Sequence, residues 1–200
     1  CNRKVIGARF YPDPLVSSSD ATPRDELGHG THVSSTAAGK PVSGASFYGL
    51  ANGTARGGSP NARIAMYKVC FSGRGCPGSS ILKGFDDAIA DGVDVLSLSL
   101  GSGPGAPRFD VDPISIGAYH AAENGILVVC SAGNYGPSAE TVVNAAPWIL
   151  TVAATTIDRD LEADILLGES RIVKGGGINF SGLETSPIYP LIDGTSASTS

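Results

Sequence analysis

The chain has 200 residues, 42% of them hydrophobic and 16% charged, with a formal net charge of -5. This length and apolar content suit one globular domain with a sizeable core. The acidic balance and the lack of a Lys/Arg cluster exclude nucleic acid as an expected partner. No apolar stretch reaches the length of a membrane span, so we expect no membrane partner either.

Apolar runs alternate with helical patterns along the chain. Strands are predicted at Lys4–Arg9, Arg63–Val69, Val93–Leu98, Ile126–Cys130 and Trp148–Ala154. Helices are predicted at Thr31–Ala38, Ser79–Ala90 and Pro113–Asn124, and Ser79 is the expected N-cap of the second. The alternation predicts an α/β fold in which a parallel sheet is covered on both faces. Further along, Ile165–Gly168 and Ile172–Gly175 predict two strands joined by a turn at Glu169 and Ser170.

A histidine lies between two glycines in Arg24–Ser34 (RDELGHGTHVS). The flanking glycines leave room for a substrate and a second catalytic group to approach the imidazole of His29. A neutral imidazole is the usual general base that activates a hydroxyl nucleophile. On these residues alone two other interpretations stay open, a surface histidine in a glycine-rich turn and a metal pair made by His29 and His32.

A lone asparagine follows a second apolar run, in Val128–Pro137 (VVCSAGNYGP). The pattern predicts a buried strand ending at Cys130, with Asn134 at the carboxyl end of the strand, where open α/β sheets bind ligands. The side-chain amide of an asparagine there can donate a hydrogen bond to a developing oxyanion. By itself, an asparagine in a Gly-Asn-x-Gly turn more often serves ordinary turn chemistry.

Together these motifs resemble the subtilisin-like serine proteases (subtilases, peptidase S8), most closely the plant, cucumisin-like branch. The resemblance extends over most of the chain, in the order of the family. The matching segments are Asp25–Gly39 (DELGHGTHVSSTAAG), Gly53–Cys70 (GTARGGSPNARIAMYKVC), Phe85–Leu100 (FDDAIADGVDVLSLSL), Val129–Pro137 (VCSAGNYGP) and Trp148–Arg159 (WILTVAATTIDR).

The resemblance implies a three-layer α/β/α fold and a serine endopeptidase that cleaves peptides or proteins through an acyl-enzyme. It implies that His29 is the catalytic base and Asn134 the oxyanion-hole donor. The segment Ser99, Leu100 and Gly101 resembles the one that pairs with extended substrate and borders the S1 pocket, and Ala132 and Gly133 are further substrate-binding candidates. We expect no cofactor and no metal, and an inhibitory propeptide as a partner of the parent protein.

Two catalytic groups of the family are not recognised in this chain. The family's Asp-Thr-Gly motif, with the carboxylate that orients the histidine, is expected upstream of Cys1. The sequence Gly194-Thr195-Ser196 resembles the start of the nucleophile motif, but Ser200 stands where the family has proline, and no Ala-Pro-Gly segment precedes it. We therefore expect a fragment with a partial peptidase domain over residues 1–186. Residues 187–200 are then a linker toward an inserted protease-associated domain, and Ser196 is not the nucleophile.

Cysteines and sequons agree with a secreted protein, expected in the plant apoplast or cell wall. Cys70 and Cys76 bracket a short loop and are a disulfide candidate. Cys130 is expected to be a buried free thiol. Asn52 and Asn179 each begin an Asn-x-Ser/Thr sequon, so both are glycosylation candidates if the chain is secreted.

Three rival interpretations follow from other patterns. Gly101–Ala106 (GSGPGA) fits a dinucleotide-binding fingerprint after an apolar strand, although Pro104 disfavours the helix that this motif must open. A protease fold that only binds peptides is a second alternative. The acidic residues from Asp86 to Asp94 invite a metal site, but a solvated helix face explains them better.

Overall fold

The computed structural model describes residues 1–12, 22–105, 107–178, 188 and 190–197. The chain divides into two compact units, Cys1–Thr155 and Thr156–Ser200, and each is described by itself.

The first unit contains two parallel sheets and a hairpin. β1 (Val5–Phe10) pairs in parallel with β4 (Ile64–Lys68). β5 (Val95–Leu98), β6 (Leu127–Ser131) and β7 (Ile149–Val152) form a parallel sheet with β6 in the centre. β2 (Val42–Phe47) and β3 (Leu50–Ala55) form an antiparallel hairpin. The helices are α1 (His29–Ala38), α2 (Gly78–Asp91) and α3 (Pro113–Glu123).

The parallel strands lie within two residues of their predicted bounds, and the predicted α/β fold is confirmed. The hairpin β2–β3 was not predicted, because its strands are rich in glycine, alanine and serine rather than in β-branched residues. Its two-residue turn has positive φ at both Tyr48 (φ 51) and Gly49 (φ 87), the geometry of a type I′ turn. Tyrosine rarely takes this conformation, so the sequence gives no hairpin signal there.

The core lies between α2, α3 and the buried face of the β5–β6–β7 sheet. Phe85 of α2 and Ala118 of α3 pack there with Val128, Cys130 and Ile149 of the sheet. α2 and α3 approach closely because α3 has glycine at its contact, since a Cβ at Gly117 would lie 2.2 Å from the Phe85 ring. α1 contacts β4, where the Ser34 hydroxyl is 3.6 Å from the Met66 sulfur.

Helices thus contact both parallel sheets, α1 at β4 and α2 with α3 at β5–β6–β7. On the β5–β6–β7 sheet, however, the face opposite α2 and α3 carries apolar side chains that are about half exposed. These residues are Val95, Leu127, Leu150 and Val152.

The helix starts follow from local hydrogen bonding. The Asp112 side chain caps α3 by accepting from the amides of Ile114 and Ser115, with Pro113 in the first turn as predicted. The expectation that Ser79 caps α2 was wrong. That helix begins at Gly78, its N-cap is Pro77, and no side chain caps it.

The second unit contains a hairpin and a short helix. β8 (Glu162–Leu167) pairs antiparallel with β9 (Arg171–Gly176). A 3-10 turn, Gly168–Ser170, connects them, in agreement with the predicted hairpin. α4 (Gly194–Ala197) is a single helical turn.

Candidate active site

His29 is the first residue of α1, two residues before the predicted helix start. The helix begins there because Gly28 takes a left-handed conformation (φ 83), and its carbonyl accepts the His32 amide at 2.9 Å. A Cβ at position 28 would meet nothing within 4 Å, so glycine is required by the backbone angle and not by space. The imidazole is exposed at the helix N-terminus.

One carboxylate organises the backbone on both sides of His29. Asp25 Oδ1 accepts the amides of Leu27 (3.0 Å) and Gly28 (2.8 Å). Asp25 Oδ2 accepts the amide and the hydroxyl of Thr31, both at 2.7 Å. Donation by the Thr31 hydroxyl, then by its amide, holds the pKa of the Asp25 carboxyl well below its usual value. Asp25 thus provides the acceptor that the glycine N-cap lacks.

Lys68, the last residue of β4, anchors the segment that precedes His29. Its ammonium donates to the carbonyls of Thr22 (3.3 Å) and Arg24 (2.9 Å) and to Glu26 Oε1 at 2.8 Å. The Lys68 side chain is only 12% exposed, so water competes little for these contacts. The histidine loop is therefore attached to the carboxyl end of a parallel strand.

The far end of α1 is fixed as well. The amides of Gly57, Gly58 and Ser59 donate to the carbonyls of Gly39, Thr36 and Ala37 at 2.8–2.9 Å. A Cβ at Gly57 would lie 2.3 Å from the Gly39 nitrogen, so this approach requires glycine. Because both ends of α1 are held, His29 stands on a rigid support.

Asn134 lies in an exposed turn just beyond the carboxyl end of β6. The preceding backbone is held between two neighbours. Ala132 donates its amide to the Val152 carbonyl at 2.9 Å and accepts the Val143 amide at 3.0 Å. Gly133 then reverses the chain with φ 92, a conformation that glycine adopts freely. The side-chain amide of Asn134 is therefore exposed on an anchored turn, where it can donate a hydrogen bond to a ligand at the carboxyl end of β6.

The structure brings the two predicted substrate-binding segments together. β5 and β6 pair in parallel up to Leu98 and Cys130, so residues 99–101 and 132–134 leave the sheet at the same edge. Val143 and Asn144 fill the space between them, and a Cβ at Gly101 would lie 2.9 Å from the Val143 side chain. The roles of Asp25, Lys68 and Asn144 were not predicted, because their partners are mainly backbone groups.

Ser196 belongs to the second unit, within α4. Its amide donates to the Asp193 carbonyl at 2.9 Å, and the Asp193 carboxylate accepts the amide of Thr195 at 2.8 Å and its hydroxyl. Asp193 therefore caps the single helical turn that contains Ser196.

The remaining candidates take these positions. Cys70 and Cys76 form a disulfide, whereas Cys130 is a buried free thiol whose pKa burial raises to about 12. Asn52 is exposed on β3. Asn179 lies outside the described residues.

The metal and dinucleotide interpretations find no support. Asp87 and Asp91 pair with Arg9 at 3.5 Å and 2.6 Å, and the described part of the chain holds no group of three potential metal-ligating His, Cys, Asp or Glu residues. Among the described residues after Gly101, no helix begins before Pro113, so the dinucleotide fingerprint lacks the helix that it must open.

Comparisons with known proteins agree with these features. A model of the Subtilase family (Peptidase_S8) matches residues 9–199. The chain is 65% identical over 199 residues to a "CO(2)-response secreted protease" and 58% identical over 200 residues to "Subtilisin-like protease SBT5.1", both from Arabidopsis thaliana. Each alignment covers 98% of this chain, which spans 26% and 25% of the respective relatives.

Among solved structures, Sphericase is 27% identical with a TM-score of 0.48, over 76% of this chain and 45% of that one. Across the described ranges, no helix is both long enough and apolar enough to span a membrane.

Proposed function

This chain belongs to the subtilase family, and we propose that it supplies part of the catalytic machinery of a secreted plant serine endopeptidase. The observation that carries the proposal is the placement of His29 at the first residue of α1. There the Gly28 backbone and the Asp25 carboxylate fix the chain on either side of it. A general base needs such a support, because it must stay within about 3 Å of the hydroxyl that it activates.

The reaction is acyl transfer from a peptide to water. His29 takes the proton of a serine hydroxyl as the serine oxygen attacks the scissile carbonyl carbon. Asn134 and a backbone amide donate hydrogen bonds to the resulting oxyanion. The intermediate collapses when the C–N bond breaks and the imidazolium gives its proton to the leaving amine. Water, deprotonated by the same imidazole, then attacks the ester; the acyl C–O bond to the serine breaks, and the imidazolium returns its proton to the serine oxygen.

Asp25 is not the carboxylate that orients the imidazole. A carboxylate has about four acceptor positions, and Asp25 uses four to receive Leu27, Gly28 and the two donors of Thr31. The orienting carboxylate is therefore a different residue, which we place upstream of Cys1 in the parent protein.

The nucleophile is also placed outside these residues. Ser196 lies on one helical turn, and the sequence around it lacks the proline and the Ala-Pro-Gly segment of the nucleophile motif. Residues 1–186 are then part of the peptidase domain, and 187–200 lead into an inserted protease-associated domain. The relatives are about four times as long as this chain, which leaves room for both missing groups and for an inhibitory propeptide.

Substrates are peptides or proteins that bind as an extended chain along Ser99, Leu100 and Gly101, with Ala132 and Gly133 beside the scissile bond. The parent protein acts outside the cell, in the apoplast or cell wall. Three features support this location. These are the Cys70–Cys76 disulfide, the sequons at Asn52 and Asn179, and the similarity to a relative named as a secreted protease.

A fluorophosphonate probe tests the proposal, because it labels only an activated serine. The 200-residue chain should stay unlabelled, whereas the full-length protein carrying this sequence should be labelled at a serine outside it. His29→Ala in the full-length protein should abolish that labelling, and His32→Ala, three residues further along the same helix, should preserve it. Labelling of Ser196 would show instead that the chain holds its own nucleophile. Labelling that is unchanged by His29→Ala would refute the assignment of the base.

A further inference from the structure

The carbonyls at the ends of β5 and β6 present a hydrogen-bonding problem. The parallel ladder stops at the pair Leu98 and Cys130. Just beyond it, the carbonyl oxygens of Leu100 and Ser131 both point to the same region, and two acceptors cannot bond to each other. A group with two hydrogen-bond donors is needed between these carbonyls to hold the carboxyl ends of β5 and β6 at a fixed separation.

Asn144 supplies both donors from a single amide group. Its Nδ2 donates to the Leu100 carbonyl at 2.7 Å and to the Ser131 carbonyl at 2.9 Å. Because both partners are carbonyl oxygens, only the NH2 group can fill this position, which fixes the orientation of the side-chain amide. Leu100 belongs to the substrate-binding segment, and Ser131 is the last residue of β6, directly before the turn that carries Asn134.

The surroundings hold Asn144 rigidly. It is 4% exposed, and its backbone takes the left-handed conformation at φ 55, which asparagine tolerates better than most residues. Its own carbonyl accepts the Thr151 hydroxyl at 2.6 Å. The preceding Val143 would be 2.9 Å from a Cβ at Gly101 and 3.0 Å from one at Gly133. The substrate-binding segment and the turn that carries Asn134 therefore both pack against the Val143 side chain.

We propose that Asn144 is a positioning residue of the peptidase site, and this inference rests on the proposed function. Its buried amide sets the separation between the substrate-binding segment and the oxyanion turn. When a substrate pairs with Ser99–Gly101, this separation places its scissile carbonyl oxygen within hydrogen-bonding reach of the Asn134 side-chain amide. Asn144 touches neither the substrate nor the reacting atoms, so it acts through the backbone that it bonds.

The test uses Asn144→Gly in the full-length protein. Glycine adopts φ 55 without strain, so this variant removes the amide and keeps the backbone conformation. We expect kcat on an extended peptide to fall on the order of 10- to 100-fold, because a displacement of about 1 Å is enough for such a loss. Asn144→Ser, which retains one donor, should fall between the wild type and the glycine variant. Active-site titration with the fluorophosphonate counts competent molecules, so a fraction that fails to fold does not enter kcat.

A double-mutant cycle with Asn134→Ala separates positioning from a general loss of packing. If Asn144 acts by placing the Asn134 donor, its removal should cost much less kcat once that donor is absent. The control is Asn124→Gly, at the opposite end of β6, where another asparagine amide donates to a backbone carbonyl, that of His120 at 2.8 Å. This control should leave kcat and KM unchanged.

The outcomes distinguish this inference from the proposed function. A loss with Asn134→Ala, together with a smaller effect of Asn144→Gly in that background, supports both. A loss with Asn134→Ala, with Asn144→Gly costing the same factor in both backgrounds or nothing in either, overturns the positioning role and leaves the peptidase site intact. An unchanged kcat with Asn134→Ala refutes the oxyanion hole, and the positioning role with it.

Discussion

Removal of the Asp25 charge should loosen the loop that carries His29. Asp25→Ala deletes an acceptor for four hydrogen bonds, whereas Asp25→Asn retains one oxygen and turns an NH2 group toward donors. Aspartate caps are worth about 0.5–2 kcal/mol, and hydrogen bonds to buried charges are worth more. Because Asp25 is exposed, we use the cap range and expect a loss of about 1–2 kcal/mol for alanine. For asparagine we expect about half of that.

Such a loss limits the kinetic effect. If all of the lost free energy went into misplacing His29, kcat would fall at most about 5- to 30-fold for Asp25→Ala. The loosening itself is measured by hydrogen exchange with mass spectrometry on a peptide spanning residues 22–38 of the full-length protein. Exchange should accelerate in this peptide and not in one from α3. Asp94→Asn, which neutralises another exposed aspartate, should have no effect on either readout.

The effect of pH on the same peptide identifies the charge as the cause. The folded pKa of Asp25 lies below its unfolded value of about 3.9. Its contribution to stability is therefore complete above about pH 5 and is lost as the pH falls toward the folded pKa. After correction for intrinsic exchange rates, wild type and Asp25→Asn should differ by a constant factor from about pH 5 to 8, and this difference should shrink progressively as the pH falls below about 4. A difference that persists undiminished at about pH 3 would refute a role for the carboxylate charge.

Two further predictions concern the core of the first unit. Gly117→Ala should destabilise the fold by about 1–3 kcal/mol despite its better helix propensity, because the new methyl group would overlap the buried Phe85 ring. The midpoint of thermal inactivation should fall, and Phe85→Leu should recover part of the loss; an unchanged midpoint would contradict the packing. Cys130, whose pKa burial raises to about 12, should resist iodoacetamide at about pH 8 in the native protein and react after unfolding, as read by mass spectrometry. Native alkylation of Cys130 at the rate of exposed Cys1 would show that the strand is open.

The parallel strands could be predicted because each is an apolar run with a helical pattern on either side. Leu127–Ser131 is an example, since its central position in the sheet requires apolar residues on both faces. The expected cover on both faces is observed only in part. α2 and α3 cover Val128, while Leu127 and its neighbours on the other face stay about half exposed.

The chemical groups of the site could also be predicted, because His29 and Asn134 occur in short motifs whose chemistry depends on residue type. The groups that hold them could not. Asp25, Lys68 and Asn144 bond mainly to backbone carbonyls and amides, which every residue possesses, so no partner residue type appears in the sequence to indicate the contact. Their function depends on where the backbone passes, and only the folded chain fixes that.

The same reasoning explains why the glycines of this site differ in what they tolerate. Gly28 is required by its φ of 83, since nothing lies near its missing side chain, whereas Gly57 and Gly101 are required by close neighbours. In sequence the three are indistinguishable. Gly28 and Gly57 place the two ends of the helix that carries His29, and Gly101 lets Val143 and Asn144 approach the substrate-binding segment. Part of the precision of the site therefore comes from positions without side chains, which allow a left-handed backbone at Gly28 and a close approach at Gly57 and Gly101.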